Sequence, residues 1–480
     1  MPSAAPDPLY LCLDQGGHAS RALVFDRHGA LQVSALREVD VREPRPDWVE
    51  QDPEELVASL QAVITKAIAS LGDRAGQIRC AGIATQRSSM VCWDRQTGEA
   101  LSPVISWQDR RAHAWLHSFS AQTRVVHQRT GLMLSAHYGA SKMRWCLDHL
   151  PAMTAARREA RLAMGPLASF LLFRLLEEKP LVADPANAAR TLLWNLRTMD
   201  WDPWLLDLFG IPVETLPRCV PTRHAFGTLR ANEHRIPLTI ATGDQSAVLF
   251  ALGMPSADTA YVNIGTGAFI QHAFSQPSDA PGLLSSVVYR DTDRAVYVLE
   301  GTVNGAGAAL RWAEQEWGLE DVEAQLPAWL ARDGYIPLFL NGVAGLGAPF
   351  WMADFASRFI GTGEPWQQAC AVIESIVFLL QVNLETMQKM APAPRRLLVT
   401  GGLAQLDGLC QRLADLSGLP VQQPAEHEAT ARGTAYLLAG FPENWPEEKP
   451  GEQFTPKSNP NLMQRYQSWR EEMNRALEKP

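Results

Sequence analysis

The feature that most constrains the fold is a strand–glycine turn–strand pattern that occurs twice in the chain. The first copy surrounds a turn at 14–17 and the second a turn at 265–267. The flanking apolar runs are 9–13 and 21–25 in the first copy, and 260–264 and 268–272 in the second. Glycine turns of this kind join neighbouring antiparallel strands. Because 480 residues are too many for one ordinary core, we expect two α/β halves that meet near 245–255, with a ligand cleft between them.

Other segments extend both halves. A helix is predicted to begin at Asp52, with Pro53 in its first turn and Glu55 completing a capping box. Further strands are predicted at 78–85, 90–94, 236–242, 296–300 and 396–399, and further helices at 246–252 and 407–416. The tail is polar and proline-rich and then helical over 461–477, and we expect it to be peripheral.

Composition argues against several classes of protein. The formal net charge is -9 and no basic run stands out, so we expect neither a nucleic-acid partner nor a membrane-surface partner. The seven cysteines form no C-x-x-C pair, which indicates reduced thiols in the cytoplasm. The first ten residues lack the features of a signal peptide, and no run of eighteen apolar residues predicts a membrane span.

The two glycine turns are candidates for phosphate binding. Gly16 and Gly17 let backbone N–H groups approach a phosphate, and Asp14 beside them is suited to Mg²⁺ held through water. The segment Gly265-Thr266-Gly267 offers the same device in the second half. An ordinary hairpin turn explains each segment equally well when it is taken alone, whereas the pair, one in each half, is more informative.

Three further motifs carry polar groups after apolar strands. Asp244 could accept the proton of an attacking hydroxyl, although spacing alone favours a helix N-cap. Gly401-Gly402 before a helix could receive an adenosine or could be a tight turn. Gln86-Arg87 and the segment from Trp107 could orient the hydroxyls of a polar substrate, but exposed polar residues explain them equally well.

Taken together and in order, these motifs resemble the FGGY carbohydrate kinases, with glycerol kinases the most similar members. The supporting stretches run from about Leu11 to about Gly440 and include LCLDQGGHASRALVFD, GIATQRSSMVCWD, ISWQDRRA, NAARTLLWN, TGDQSAVLFALG, NIGTGAF, GAGAALRW and TGGLAQLDGLCQRLADLSG. So many collinear matches across both halves do not arise by chance, even though each is weak alone.

The resemblance implies an α/β fold of two ribonuclease-H-like (actin-like ATPase) domains around a central cleft. We expect an N-terminal domain at 1–247, a C-terminal nucleotide domain at 248–445 and a peripheral tail at 446–480. ATP and Mg²⁺ are the implied cofactors, a small polyol or sugar is the implied substrate, and a homodimer follows by family analogy alone.

The resemblance also assigns roles to individual residues. Asp244 corresponds to the catalytic base, and Asp14 and Asp244 to the metal-associated carboxylates. The implied substrate pocket consists of Arg87, Ser88, Trp107, His137, Gln245 and Phe269. The implied nucleotide site consists of Asp14, Gly16, Gly17, His18, Arg21, Gly265, Thr266, Gly267, Gly307, Arg311, Gly401 and Gly402.

The chain departs from the glycerol kinases at several of these positions. Ser88 stands where they carry Glu and His137 where they carry Tyr. Loss of a carboxylate that accepts from substrate hydroxyls predicts poor binding of glycerol, and favours another polyol or a ketose. Gly17 replaces a threonine of the usual phosphate loop and His18 replaces the next residue, which removes hydroxyl donors.

Three functions remain open at this stage. The leading prediction is an active polyol or sugar kinase. The second is a catalytically weakened ligand sensor of the same fold, suggested by the altered loop at Gly17 and His18. The third is a chaperone-like ATPase of the wider actin-like superfamily, against which the substrate-side motifs Gln86-Arg87 and Trp107-Gln108 argue.

Overall fold

The computed structural model describes residues 7–278, 280–317, 322–390, 392–425, 428–446 and 451–478. They form two α/β lobes, each built on one large sheet. The strands of the first lobe are β1 (Leu9–Gln15), β2 (Ala19–Asp26), β3 (Leu31–Glu38), β4 (Glu50–Gln51), β5 (Ile78–Thr85), β6 (Met90–Asp94), β7 (Val104–Ile105), β8 (Leu162–Pro166), β9 (Val182–Ala183), β10 (Trp194–Asn195), β11 (Asp200–Trp201), β12 (Arg218–Cys219), β13 (Arg223–Ala231) and β14 (His234–Gly243). Its helices are α1 (Pro53–Leu71), α2 (His113–Leu116), α3 (Thr123–Thr130), α4 (Gly139–His149), α5 (Pro151–Arg158), α6 (Leu167–Leu175), α7 (Pro185–Ala188), α8 (Pro203–Phe209) and α9 (Asp244–Val248).

The second lobe follows α9. Its strands are β15 (Thr259–Ile264), β16 (Ala268–Phe274), β17 (Leu284–Arg290), β18 (Ala295–Val303), β19 (Leu338–Leu340), β20 (Arg358–Ile360), β21 (Arg396–Thr400), β22 (Val421–Gln422) and β23 (Gln453–Phe454). Its helices are α10 (Gly307–Trp317), α11 (Val322–Leu330), α12 (Pro365–Gln388), α13 (Asp407–Ser417), α14 (Ala429–Ala439) and α15 (Pro460–Leu477). Short 3₁₀ segments lie at Gly72–Gln77, His117–Gln122, Ala189–Thr191, Val213–Thr215 and Gly402–Gln405.

The two large sheets share one topology. In the first, the order β3-β2-β1-β5-β14 places an antiparallel meander beside two parallel strands. In the second, β18-β16-β15-β21-β22 repeats this order and these directions. The repeat seen in the sequence is therefore a repeat of a whole sheet topology, and the predicted ribonuclease-H-like fold is confirmed.

The first helix shows how the sequence sets a local boundary. Asp52 accepts hydrogen bonds from the N–H groups of Glu54 and Glu55, at 2.9 and 3.3 Å, and Pro53 occupies the first turn. The reciprocal half of the predicted capping box is wrong, because the Glu55 carboxylate accepts from the N–H of Asp40 at 3.1 Å instead. The Glu55 side chain therefore connects the first turn of α1 to the segment after β3.

The tail contributes to the core of the second lobe. Tyr466 and Trp469 of α15 are buried in the same apolar cluster as α12, and β23 adds a strand to the second sheet. The Nε1–H of Trp469 donates to the carbonyl of Phe339 at 2.9 Å. The expected peripheral position is therefore wrong for residues 453–477, while 447–450 lie outside the described residues.

Helix α14 joins the lobes, since Gly433 packs directly on the carbonyl of Ala247 in α9. Two segments, Pro53–Gln77 and Pro365–Gln388, are long and apolar enough to cross a membrane by length and composition alone. In α12, 89% of that apolar window is buried, which is typical of a core helix. Among the described residues the seven cysteines are free thiols, and six of them are buried.

Candidate active site

The first glycine turn is shorter than predicted, because β1 continues through Asp14 and Gln15. In the register with β2, Asp14 pairs with Arg21, whose Nη1 lies 3.4 Å from the Asp14 Oδ2. The turn proper is formed by residues 16–18, and it closes with a hydrogen bond from the N–H of Gly16 to the carbonyl of Ala19 at 3.0 Å. Asp14 thus lies at the end of a buried strand, at the foot of the turn, with 5% of its surface exposed.

Three glutamine side chains hold the carbonyl groups of this turn. The Nε2 of buried Gln86 donates to the Oε1 atoms of Gln51 and Gln15, at 2.7 and 3.1 Å, and to the carbonyl of Gly16 at 3.3 Å. Gln15 also donates to the carbonyl of Gly16, at 2.6 Å. Gln51 donates to the carbonyl of Gly17 at 2.9 Å. Gln86, which we expected to orient substrate hydroxyls, therefore supports the turn.

This arrangement orients two backbone donors. In a trans peptide the C=O of one residue and the N–H of the next point in opposite directions. Because the carbonyls of Gly16 and Gly17 face the glutamines, the N–H groups of Gly17 and His18 face away from them. Within the described part of the chain neither N–H group donates a hydrogen bond. Successive free N–H groups of this kind suit a phosphate, so the turn keeps donors despite the missing hydroxyl side chains.

The second glycine turn is packed on the start of α10. The N–H of Gly265 donates to the carbonyl of Gly267 at 2.8 Å, and the N–H of Ala308 donates to the carbonyl of Thr266 at 2.9 Å. The N–H of Gly307 donates to the carbonyl of Gly265, also at 2.9 Å, and a Cβ on Gly307 would lie 2.9 Å from that oxygen. Glycine at 307 thus permits the close approach, and the Thr266 side chain is left exposed.

The two glycines after β21 differ in their surroundings. Gly401 has φ of +100°, and a Cβ there would lie 2.5 Å from the carbonyl oxygen of Ile264. Gly402 begins a 3₁₀ turn, and a Cβ there would meet no atom of the described residues within 4 Å. Arg311 on α10 is exposed and its Nη1 lies 3.6 Å from the Cβ position of Gly307. Gly401 is therefore needed for the chain path, whereas Gly402 borders open space.

Asp244, the predicted catalytic base, directly follows the last residue of β14 and is the first residue of α9. The helix N-cap is Gly243 and makes no side-chain cap, so the alternative role of Asp244 as N-cap is wrong. Its Oδ1 accepts from the N–H of Gln245 at 2.6 Å and lies 3.9 Å from the Nε of Arg87. Arg87 reaches it by crossing Gly243, where a Cβ would lie 2.5 Å from the Arg87 side chain.

The two carboxylates have a shared electrostatic environment. Burial raises the pKa of Asp14 to about 7, helped by the negative charge of Asp244 and opposed by Arg21. Burial also raises the pKa of Asp244, opposed mainly by Arg87. A cation between the two carboxylates would reduce the unfavourable effect of the Asp244 charge on buried Asp14.

The residues present fit a magnesium ion of the kind held with phosphate. Among the described residues no group of three or more His, Cys, Asp or Glu side chains could hold a metal by itself. Mg²⁺ usually takes one or two protein carboxylates and completes its shell with water and substrate phosphates. Asp14 and Asp244 supply that number.

Two aromatic rings of the predicted substrate pocket lie side by side. The rings of Trp107 and His137 have centroids 5.7 Å apart. The buried ammonium of Lys142 donates to the carbonyls of Ser88 and His137, which fixes these two residues side by side. Ser88 has φ of +65°, and its buried Oγ has no hydrogen-bond partner among the described residues.

The remaining predicted pocket residues lie at the boundary between the lobes. Gln245 on α9 and Phe269 on β16 line a small apolar recess together with residues of β15 and β21. The structure therefore brings Arg87, Ser88, Trp107, His137 and Asp244 together on the first-lobe side. Gln245 and Phe269 lie where the second lobe begins.

A buried ion pair between the lobes was missed by sequence reasoning. The Nη2 of Arg190 lies 3.0 Å from the Oε2 of Glu300, and the Nη1 lies 3.4 Å from Oε1. Gln271 donates to the same carboxylate at 2.7 Å, and Tyr138 hydrogen-bonds Arg190. Arg190 falls inside the NAARTLLWN stretch that carried the resemblance, but no local pattern connects it with a glutamate so far along the chain.

Comparisons with known proteins cover nearly the whole chain. The family described as "FGGY family of carbohydrate kinases, N-terminal domain" matches residues 9–251, and its C-terminal domain matches residues 260–440. A glycerol kinase of Alkalilimnicola ehrlichii is 36% identical over 443 residues, which is 89% of this chain and 89% of that protein. A glycerol kinase of Trichlorobacter lovleyi is 36% identical over 456 residues, covering 92% of this chain and 91% of that protein.

Solved structures share the fold at lower identity. The glycerol kinase of Plasmodium falciparum with ADP matches with a TM-score of 0.89 and 23% identity, over 98% of each chain. A gluconate kinase of Lactobacillus acidophilus matches with a TM-score of 0.85 and 21% identity, over 99% of each chain.

Proposed function

Since the chain belongs to the FGGY family of carbohydrate kinases, and is therefore an ATP-dependent kinase of a small sugar or polyol, we propose that its acceptor is not glycerol and that Asp244 is its general base. The observation that carries the proposal is the position of Asp244. It is a partly buried carboxylate at a strand end, 22% exposed, with Arg87 at 3.9 Å and with a negative charge that raises the pKa of nearby Asp14. The tuned carboxylate of a general base commonly has such surroundings.

In the proposed reaction Asp244 accepts a single proton, that of the acceptor hydroxyl. The acceptor hydroxyl oxygen forms a bond to the γ-phosphorus of ATP while the bond from that phosphorus to the β,γ-bridging oxygen breaks, and ADP leaves. Asp244 accepts the hydroxyl proton, and Arg87 at 3.9 Å favours the ionised carboxylate before transfer. Burial has the opposite effect, so the carboxylate is more basic than an exposed aspartate.

Backbone donors receive the phosphates on both sides of the cleft. The free N–H groups of Gly17 and His18 lie on the first lobe, and the turn at Gly265–Gly267 lies on the second. Mg²⁺, held by Asp14 and Asp244 together with phosphate oxygens, would neutralise developing charge. Gly402, at the start of the 3₁₀ turn before α13 and without a described residue against its Cβ position, leaves room for the nucleoside.

The acceptor pocket supports a substrate other than glycerol. Ser88 presents a short hydroxyl without a partner among the described residues, so a substrate hydroxyl would find no carboxylate at that position. Burial and nearby cations lower the pKa of His137 well below its usual value, so its ring is neutral and offers one donor and one acceptor.

An assay of ADP release with Mg·ATP and single acceptors tests this proposal. Glycerol, erythritol, ribitol, xylitol, the pentuloses and gluconate form the panel. We expect one acceptor other than glycerol to give clear turnover. Preference for glycerol would contradict the assignment from Ser88 and His137, whereas silence across the panel with ATP binding retained would favour the ligand-sensor alternative.

A further inference from the structure

The Arg87 guanidinium is an incompletely paired buried charge. Its side chain is 12% exposed, and among the described residues one carboxylate, that of Asp244, lies within ion-pairing distance, at 3.9 Å. A hydrogen-bonded ion pair would bring nitrogen and oxygen to about 2.8 Å. Burial lowers the pKa of Arg87 to about 10, with Arg190 contributing in the same direction and Glu300 and Asp244 opposing it. A second anion would therefore stabilise the guanidinium charge in this position.

The end of the pocket away from Asp244 is cationic. After burial, the four charged groups that most affect His137 are Lys142, Arg110, Arg190 and Arg87, and all four lower its pKa. The partners of Lys142 are backbone carbonyls, and burial lowers the pKa of its amine well below the usual value, so Arg110, Arg190 and Arg87 are the lasting positive charges here. The ring of His137 therefore lies in a region of positive potential.

The other buried acid near the pocket is already paired. Glu300 accepts from Arg190 and from Gln271, whereas its attraction for Arg87 acts through space, without a hydrogen bond or ion-pair contact among the described residues. The hydroxyl of Ser88, which is 1% exposed, adds a donor without a partner among the described residues. One guanidinium and one hydroxyl thus remain to bind an acceptor at the same place.

We propose that the acceptor is a polyhydroxylated monocarboxylate, an acid of the aldonate class, whose carboxylate binds Arg87 and the Ser88 hydroxyl while a hydroxyl of the same molecule faces Asp244. This inference rests on the proposed function, because it names the substrate class of that site. A carboxylate matches the planar guanidinium fork. One incompletely paired cation balances a monoanion, whereas a phosphorylated sugar brings nearly two negative charges.

Matched pairs of acceptors test the inference on the unaltered protein. Gluconate is compared with glucitol, ribonate with ribitol, and erythronate with erythritol, with ribose 5-phosphate as the dianionic probe, and kcat/KM is measured by ADP release. We expect one acid to exceed its matched polyol by about tenfold or more.

The other outcomes contradict either this inference alone or the proposed function as well. Turnover of neutral polyols in preference to their acids would overturn this inference and leave the kinase assignment intact, as would preference for ribose 5-phosphate. Silence of all acceptors would overturn the proposed function and this inference with it.

A pair of substitutions at one position separates charge from size. Ser88→Glu places a carboxylate beside Arg87, and Ser88→Gln places a neutral side chain of the same length, with the same strain at φ of +65°. Calorimetric titration should show the acid binding about tenfold or more weakly to Ser88→Glu than to Ser88→Gln. Its matched polyol should bind Ser88→Glu at least as well as Ser88→Gln, because a carboxylate at this position accepts from substrate hydroxyls. Equal affinity of the acid for both variants would refute the role of the charge.

Discussion

Arg190 and Glu300 form a buried ion pair across the two lobes, with an Nη2–Oε2 distance of 3.0 Å. Arg190 belongs to the 3₁₀ turn after α7 in the first lobe, and Glu300 belongs to β18 in the second. Side-chain exposures of 5% and 7% place both charges out of water. The pair therefore connects the lobes beside the acceptor pocket.

Replacing one member of this pair should be strongly destabilising. Arg190→Met keeps the volume but leaves Glu300 as an uncompensated buried charge, which costs about 3–5 kcal/mol. The double variant Arg190→Met/Glu300→Leu removes both charges and should recover much of that loss. Scanning calorimetry on the three proteins checks this, and a single variant as stable as the parent would show that the pair is not closed in solution.

Gln86 should matter for ATP more than for the acceptor. Gln86→Leu removes the donors that hold Gln15, Gln51 and the carbonyl of Gly16. An unsatisfied buried group costs about 1–3 kcal/mol, so we expect the KM for ATP to rise about tenfold. The exposed Gln61 on α1 provides the matched control, Gln61→Leu. If the substitution changed only the KM for the acceptor, Gln86 would have the substrate-orienting role that the sequence predicted.

Adjacent glycines should respond differently to one methyl group. At Gly401 the φ of +100° and the carbonyl of Ile264 oppose a side chain, so Gly401→Ala should lose about 1–3 kcal/mol of stability. At Gly402 there is open space, so Gly402→Ala should keep its melting temperature and instead raise the Kd for ATP. Melting curves and nucleotide titrations measure the two effects. Equal melting temperatures for both variants would contradict the assigned geometry.

The tail helix should be required for stability of the second lobe. Trp469→Ala removes a ring that is 1% exposed, which costs about 3–5 kcal/mol. Met463 on the same helix is 41% exposed, and Met463→Ala should change stability by less than about 0.5 kcal/mol. Thermal unfolding compares the two. A peripheral tail would make both substitutions equally harmless.

Local chemistry in the sequence was enough to predict several elements. Asp52 and Pro53 begin α1 because capping depends on neighbouring residues only. The two glycine turns were found for the same reason. Their flanking strands extend further than predicted, through Gln15 and Phe274, because pairing with adjacent strands continues the ladder past the apolar runs.

Long-range contacts could not be predicted in this way. Arg190 and Glu300 are 110 residues apart in sequence, and their pairing depends on how the lobes meet. Gln86 looked like a substrate ligand because it precedes Arg87, but successive residues point to different sides of the chain, and its side chain turns to the glycine turn. The sequence of α15 is mostly polar, and for this reason we predicted a peripheral helix although a few large residues, such as Trp469, pack inward.

The substitution Asp244→Asn tests whether Asp244 is the general base. The variant keeps the size of the side chain and removes the basic oxygen, so kcat on the best acceptor should fall by about 10²–10⁴-fold. The Kd for ATP should change little, and Asp207→Asn, at an exposed position of α8, should behave as the parent. Single-turnover ADP release together with nucleotide titration measures both quantities. Normal turnover by Asp244→Asn would show that another group accepts the proton.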